Sequence, residues 1–194
     1  MATGAEYLIR AMQSLESIFL LGVEGVTEVW LVRHADSYRG VAETVDPPLS
    51  TTGREQASRL ADRIRRTDHA AVYSSPLKRA VETARAISDD FTLDGRLVEV
   101  KLEISDDGTL DFKETSESAV TRMRAALEDM VRAHPGERVI AITHAAAIVA
   151  CLSDVMGLEA GQLRVLPYYT SINKVRVLGD RRVVGSLGDV AHLE

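Results

Sequence analysis

The 194-residue chain is 45% hydrophobic and 27% charged, which suits one globular domain with a real core and argues against disorder, collagen and coiled coil. Its formal net charge of -6 leaves no overall basic excess for nucleic acid, so an anionic substrate would need a local cationic pocket. The single cysteine, Cys151, excludes an intramolecular disulfide; within the apolar pattern AAAIVACLSDVM it reads as a core thiol rather than a nucleophile.

In chain order, EYLIRAMQSLESIFLL places Leu8, Met12, Leu15 and Phe19 at helical spacing. The plain reading is a helix packed on its own domain; the sharper one is a contact in a homo-oligomer. No basic region precedes the apolar run, so no secretory signal is expected, and SIFLLGVEGV is too short to span a bilayer. The chain therefore reads as soluble and cytoplasmic, with no membrane partner. We divide it into an N-terminal helical extension, residues 1–25, and an α/β domain, residues 26–194.

Val26 to Val32 reads as a buried strand, and Pro47, Pro48 and Gly53 mark a loop. Thr52-Gly53-Arg54-Glu55 has the form of a capping box, followed by the helix face Ala57, Leu60, Ala61 and Ile64. HAAVYS is a second short strand. Ser75-Pro76 offers an N-cap and first-turn proline for a helix through Leu77, Val81, Ala84 and Ile87. RLVEVKLEI reads as strand and SDDGTLDFKETSES as loop. Val120, Met123, Leu127 and Met130 form a helical stripe that Pro135-Gly136 ends. RVIAIT is a buried strand, a helix runs from about Ala145 to Met156, and Gly157 stops it. NKVRVLGDRRVVGSL looks like a hairpin with Gly179-Asp180 in its turn. The alternation predicts a three-layer α/β sandwich with a mostly parallel sheet, whose ligands bind beyond the carboxyl ends of the strands.

That rule gathers the chemistry. Arg33 and His34 follow the first strand, His144 follows RVIAIT, and Arg79 lies in the first turn after HAAVYS. In a parallel sheet all four share one edge, which is a pocket for a dianion. Arginine binds phosphate oxygens bidentately and stays charged, helix N-termini add free N–H groups, and neutral imidazole is a competent nucleophile. Each residue alone would read as a solvated loop, a surface charge or a cap; their coincidence at strand ends lifts the sharper reading. Two histidines could also serve a metal, but H-E-x-x-H and Cys/His spacings are absent, and flanking arginines would repel a cation. No metal and no cofactor is expected.

At these residues the sequence resembles the histidine phosphatase superfamily, which includes the cofactor-dependent phosphoglycerate mutases. The family's opening Leu-Val-Arg-His-Gly is similar to LVRHAD, and its L-T-x-x-G to Leu49-Ser50-Thr51-Thr52-Gly53. Ser74 to Ala84 matches S-S-P-L-x-R-A-x-x-T-A in full, and THAA, Thr143 to Ala146, stands where the family has S-H-G-G. The likeness runs from about Thr27 to the C-terminus. It implies that His34 accepts a phosphoryl group while Arg33, Arg79 and His144 hold its oxygens. It implies a carboxylate proton donor in R-L-x-E, here Glu99. In an extended segment Glu103 would share the face of Glu99, so pattern alone leaves both open, with Asp36 and Asp106 next. The family's G-E-S aligns with Ser116-Glu117-Ser118.

Three departures accompany the likeness. Ala35 replaces a glycine and adds a Cβ near the pocket. Gly40 stands where many members carry a phosphate-touching asparagine, for which Ser37 is a candidate substitute. The E-x-x-x-G after the acid is absent, and the segment between Glu99 and Glu117 is much shorter than the mutases' lid. A short lid leaves phosphohistidine open to water. The resemblance thus implies a metal-independent phosphomonoesterase for a phosphorylated small molecule. Mutase-like transfer, a protein phosphohistidine phosphatase and a silent phosphate-ligand binder are the alternatives.

Overall fold

The computed structural model describes residues 4–38, 46–105 and 108–194. Gly40 and Asp106 lie outside the described residues. In chain order the elements are α1 (Gly4–Ile18), β1 (Thr27–Arg33), α2 (Thr51–Ile64), β2 (Ala71–Ser74), α3 (Lys78–Ile87) and β3 (Thr92–Leu93). There follow β4 (Leu102–Ile104), β5 (Leu110–Phe112), α4 (Ser116–Ala133), β6 (Arg138–Thr143), α5 (Ala145–Met156), β7 (Ile172–Leu178) and β8 (Arg181–Asp189).

The apolar runs at β1 and β6 have no polar face because both of their faces are covered. Val29 and Leu31 pack with Val139 and Ala141 beneath α4 and α5, against Met123, Leu127, Ile148 and Leu152. Trp30 and Val32 pack with Ile140 and Ile142 on the other side, against Leu60 and Ile64 of α2 and Ala84 and Ile87 of α3. The result is the expected three-layer sandwich. Its six-stranded sheet has the order β3-β2-β6-β1-β7-β8. The β3–β2, β2–β6 and β6–β1 pairings are parallel, and the C-terminal hairpin adds β7 and β8 antiparallel. Gly179 turns that hairpin at φ +57°. Cys151 is buried in the core, and burial pushes its thiol up to about 12.

Several local expectations change. The cap of α2 is Ser50 rather than Thr52: its hydroxyl accepts from the Gly53 N–H at 2.9 Å and donates to the Asp36 carboxylate at 2.6 Å. Gly53 is required there, since a Cβ would sit 1.9 Å from the Asp36 carbonyl oxygen. Ser75 does not cap α3, whose N-cap is Leu77; the Asp46 carboxylate accepts from the first free N–H, Lys78 N, at 2.8 Å. RLVEVKLEI is strand only over β4. It begins as a single 3₁₀ turn, Gly95–Leu97, and β4 pairs with β5, inside the segment expected to be loop. The stripe of α1 does not pack on the domain: Leu8, Met12, Leu15 and Phe19 are 54–60% exposed, and Leu20 is the first buried hydrophobic side chain described. Among the described residues, no helix is long and apolar enough to cross a membrane.

Candidate active site

The parallel register builds the site. Arg33 of β1 pairs with Thr143 of β6, so the residues that follow, His34 and His144, emerge side by side with ring centroids 4.9 Å apart. Ser74 of β2 pairs with Ile142, which brings Ser75 to the same edge, and its hydroxyl lies 2.9 Å from His144 Nε2. Arg79, in the first turn of α3, reaches back so that its Nε donates to His34 Nε2 at 3.2 Å. The four residues expected at one sheet edge are therefore together.

The tautomer of His34 follows from its partners. Nδ1 lies 2.7 Å from the Ala35 carbonyl oxygen, which can only accept, so the proton is on Nδ1. Nε2 keeps its lone pair and turns it toward Arg79. Burial first, then the charges of Arg79 and Arg33, pushes His34 down to about 3. Its imidazole is thus neutral across the physiological range. His144 is fully buried and held far below the ordinary histidine range, by burial first and then by His34 and Arg79. Its Nδ1 has no hydrogen-bond partner among the described residues.

Arg33 is fixed by a segment that shows no periodicity in the sequence. Its guanidinium stacks 3.9 Å above the Tyr169 ring, and Nη1 donates to the Pro167 carbonyl at 2.7 Å. Tyr169 also stands 5.8 Å from the His34 ring. The next residue, Thr170, holds φ at +58°, an uncommon value for a β-branched side chain. Its N–H donates to the Arg33 carbonyl at 3.0 Å, and its hydroxyl meets His192 Nε2 at 3.0 Å. Asp46 accepts from Arg79 Nη1 at 3.4 Å. Sequence reasoning passed over Tyr169, Asp46 and His192.

The two candidate carboxylates part company. Glu99 reaches the start of α5, where its Oε1 accepts from the N–H groups of Ala146 and Ala147 at 3.1 and 3.2 Å, and from Val100 N at 2.9 Å. It substitutes for the cap that His144 does not provide, and Oε2 is the less engaged oxygen. Arg122 of α4 steadies this stretch by donating to the Arg96 and Val98 carbonyls at 2.6 and 2.8 Å while gripping Glu114. Glu103 instead faces solvent on the β4–β5 hairpin, 3.2 Å from Lys113 Nζ. Asp36 is occupied at the start of α2. Ala35 is fully buried and packs with Leu49 and Ala57. Ser37 forms a backbone bridge to Leu49.

This arrangement can bind a tetrahedral dianion between two guanidinium groups and present a neutral imidazole lone pair to its centre. Among curated proteins, "Probable phosphoglycerate mutase GpmB" of Enterobacter sp. strain 638 is 27% identical, over 86% of this chain and 95% of that one. "Uncharacterized phosphatase PhoE" of Bacillus subtilis is 28% identical, over 68% and 79%. Among solved structures, a phosphoserine phosphatase variant of Entamoeba histolytica bound to phosphoserine shares the fold with a TM-score of 0.73, at 19% identity, over 87% of this chain and all of that one. A mycobacterial glucosyl-3-phosphoglycerate phosphatase does so with a TM-score of 0.71, at 16% identity, over 84% and 99%. The sequence profile described as "Histidine phosphatase superfamily (branch 1)" matches residues 29–111 and 103–190. Spanning most of the sheet and every strand end that builds the pocket, that match makes the chain a member of the histidine phosphatase superfamily.

Proposed function

We propose that the protein is a metal-independent phosphomonoesterase that works through a phosphohistidine on His34. The observation that carries the reading is the His34 imidazole: neutral, with its proton committed to the Ala35 carbonyl, and with Nε2 facing Arg79. In the first step Arg79 turns its Nε–H from His34 to a phosphate oxygen, the freed Nε2 attacks phosphorus, the N–P bond forms and the ester P–O bond breaks. Glu99 Oε2 gives its proton to the departing alkoxide. Arg33 and Arg79 hold the equatorial oxygens, and a proton on His144 Nδ1 adds a donor when the Ser75 hydroxyl donates to Nε2. In the second step Glu99 takes a proton from water, whose oxygen attacks phosphorus. The N–P bond breaks, and inorganic phosphate leaves a neutral His34.

The positive charges of Arg33 and Arg79 are met by the substrate's own negative charge, so binding needs no metal. Phosphotransfer between phosphorylated acids is the second reading, favoured by the name of the Enterobacter relative. The short segment between Glu99 and Glu117 supports hydrolysis over transfer, because a mutase must keep water from its phosphoenzyme. Turnover of 4-nitrophenyl phosphate tests the proposal. Activity is expected to persist after exhaustive dialysis against EDTA and to be inhibited by vanadate. Loss on chelation with recovery on adding a divalent ion would overturn metal independence, and no turnover of any phosphomonoester would leave a phosphate-ligand binder.

A further inference from the structure

The candidate phosphate site adjoins a cavity of about 730 Å³ with Glu99 in its wall. It runs along α5 from Ala145 to Ser153, eight residue steps or about 12 Å at 1.5 Å each. Val120, Val149, Val165 and Leu166 supply much of the lining, and Phe112 stands in the wall. Phe112 and Leu166, both in its lining, are more than half exposed, so a ligand in the cavity would cover two large apolar side chains. Among the described residues, the lining contains no lysine, arginine or histidine. Its acidic groups are Glu99 and Glu114, and Glu114 is already bound by Arg122. The Thr115 hydroxyl is spent as the cap of α4.

From this we infer that the substrate is the monophosphate of a long apolar alcohol, aliphatic or aromatic, whose hydrocarbon part lies along α5 while its phosphate sits on His34. The inference rests on the phosphomonoesterase reading and names its substrate class. A phosphorylated acid is the wrong shape of charge for this cleft. Its carboxylate would lose water, find no cation in the wall, and face the Glu99 carboxylate. A hydrocarbon tail is favoured by burial against Val120, Val149, Val165, Leu166 and Phe112, with the Ser116 and Ser153 hydroxyls as the other polar groups of the lining. Because the tail is remote from the reacting bond, its binding energy can also be used to position the phosphate.

The test is a chain-length series from ethyl to octyl. Inert n-alkylphosphonates are titrated by calorimetry, and the matching n-alkyl phosphates are assayed for turnover beside phosphoserine and 3-phosphoglycerate. Affinity and kcat/KM are expected to rise by up to about fourfold per methylene, with octyl phosphate well ahead of both acids. Ala150→Phe, which fills the cavity from an incompletely buried helix position, is expected to cut the octyl-to-ethyl ratio at least about tenfold. A flat series, a ratio unchanged in the variant, or either acid turned over as well as octyl phosphate overturns the inference. If the phosphonates bind with the expected length dependence but no phosphate is hydrolysed, the apolar site stands and the phosphatase reading fails. Hydrolysis with no length dependence has the opposite meaning.

Discussion

Glu99 and Glu103 sit four residues apart, yet one touches the start of α5 and the other touches solvent and Lys113. If Glu99 is the proton donor, Glu99→Gln slows an alkyl phosphate, whose alkoxide needs a proton, by roughly 10²–10⁴-fold. It slows 4-nitrophenyl phosphate much less, and Glu103→Gln changes neither; steady-state rates on the two substrates check this. The depressed histidines make a second expectation. His34 at about 3 and His192 at about 4, both lowered chiefly by burial, stay neutral when folded but gain protons below about 6.5 when unfolded. The unfolded state then binds more protons, so stability falls on acidification from pH 7.5 to 5. The urea midpoint is expected to drop over that range, and to drop less in His34→Gln; an identical slope in the two proteins would refute the assignment. The convergence of Arg33, His34, Arg79 and His144 at one edge was legible because the strand ends of a parallel sheet lie side by side. Tyr169 and Asp46 were not, because they lie in coil with no period. Arg122 was not, because a helical arginine in TRMR reads as surface charge until its carbonyl partners are seen.

Among the elements, those buried on both faces or striped at 3.6 residues were read correctly: β1, β6, α4 and α5, down to the stop at Gly157, whose φ is +66°. The errors fall where a tertiary partner overrides the local pattern. Ser75 looks like a cap, but its hydroxyl is used at His144 and Asp46 caps α3 from another loop. β3 and β5 are two and three residues long, too short to show alternation. The stripe of α1 is a true helical stripe that the domain leaves uncovered. Since Leu20 is the first buried hydrophobic side chain described, removing residues 1–18 is expected to leave turnover and the unfolding midpoint intact. The homo-oligomer reading further expects the particle mass in light scattering to fall, and an unchanged mass would dismiss it. A truncated chain that is folded but inactive would contradict the division at residue 25.

For the whole molecule, a net charge of -6 coexists with two guanidinium groups held at one edge of the sheet. The topology reconciles them. Three parallel strands end at the same edge, so β1, β2 and β6 bring Arg33, His34, Ser75 and His144 together while the chain as a whole stays acidic. The central claim is that this edge uses His34 as a nucleophile, and trapping the intermediate tests it most directly. Protein mixed rapidly with ³²P-labelled substrate and quenched in base is expected to carry label that survives alkali and is lost in mild acid. The label should map to His34 and be absent from His34→Ala, which should not turn over. Label on a serine, or full turnover by His34→Ala, would contradict the account.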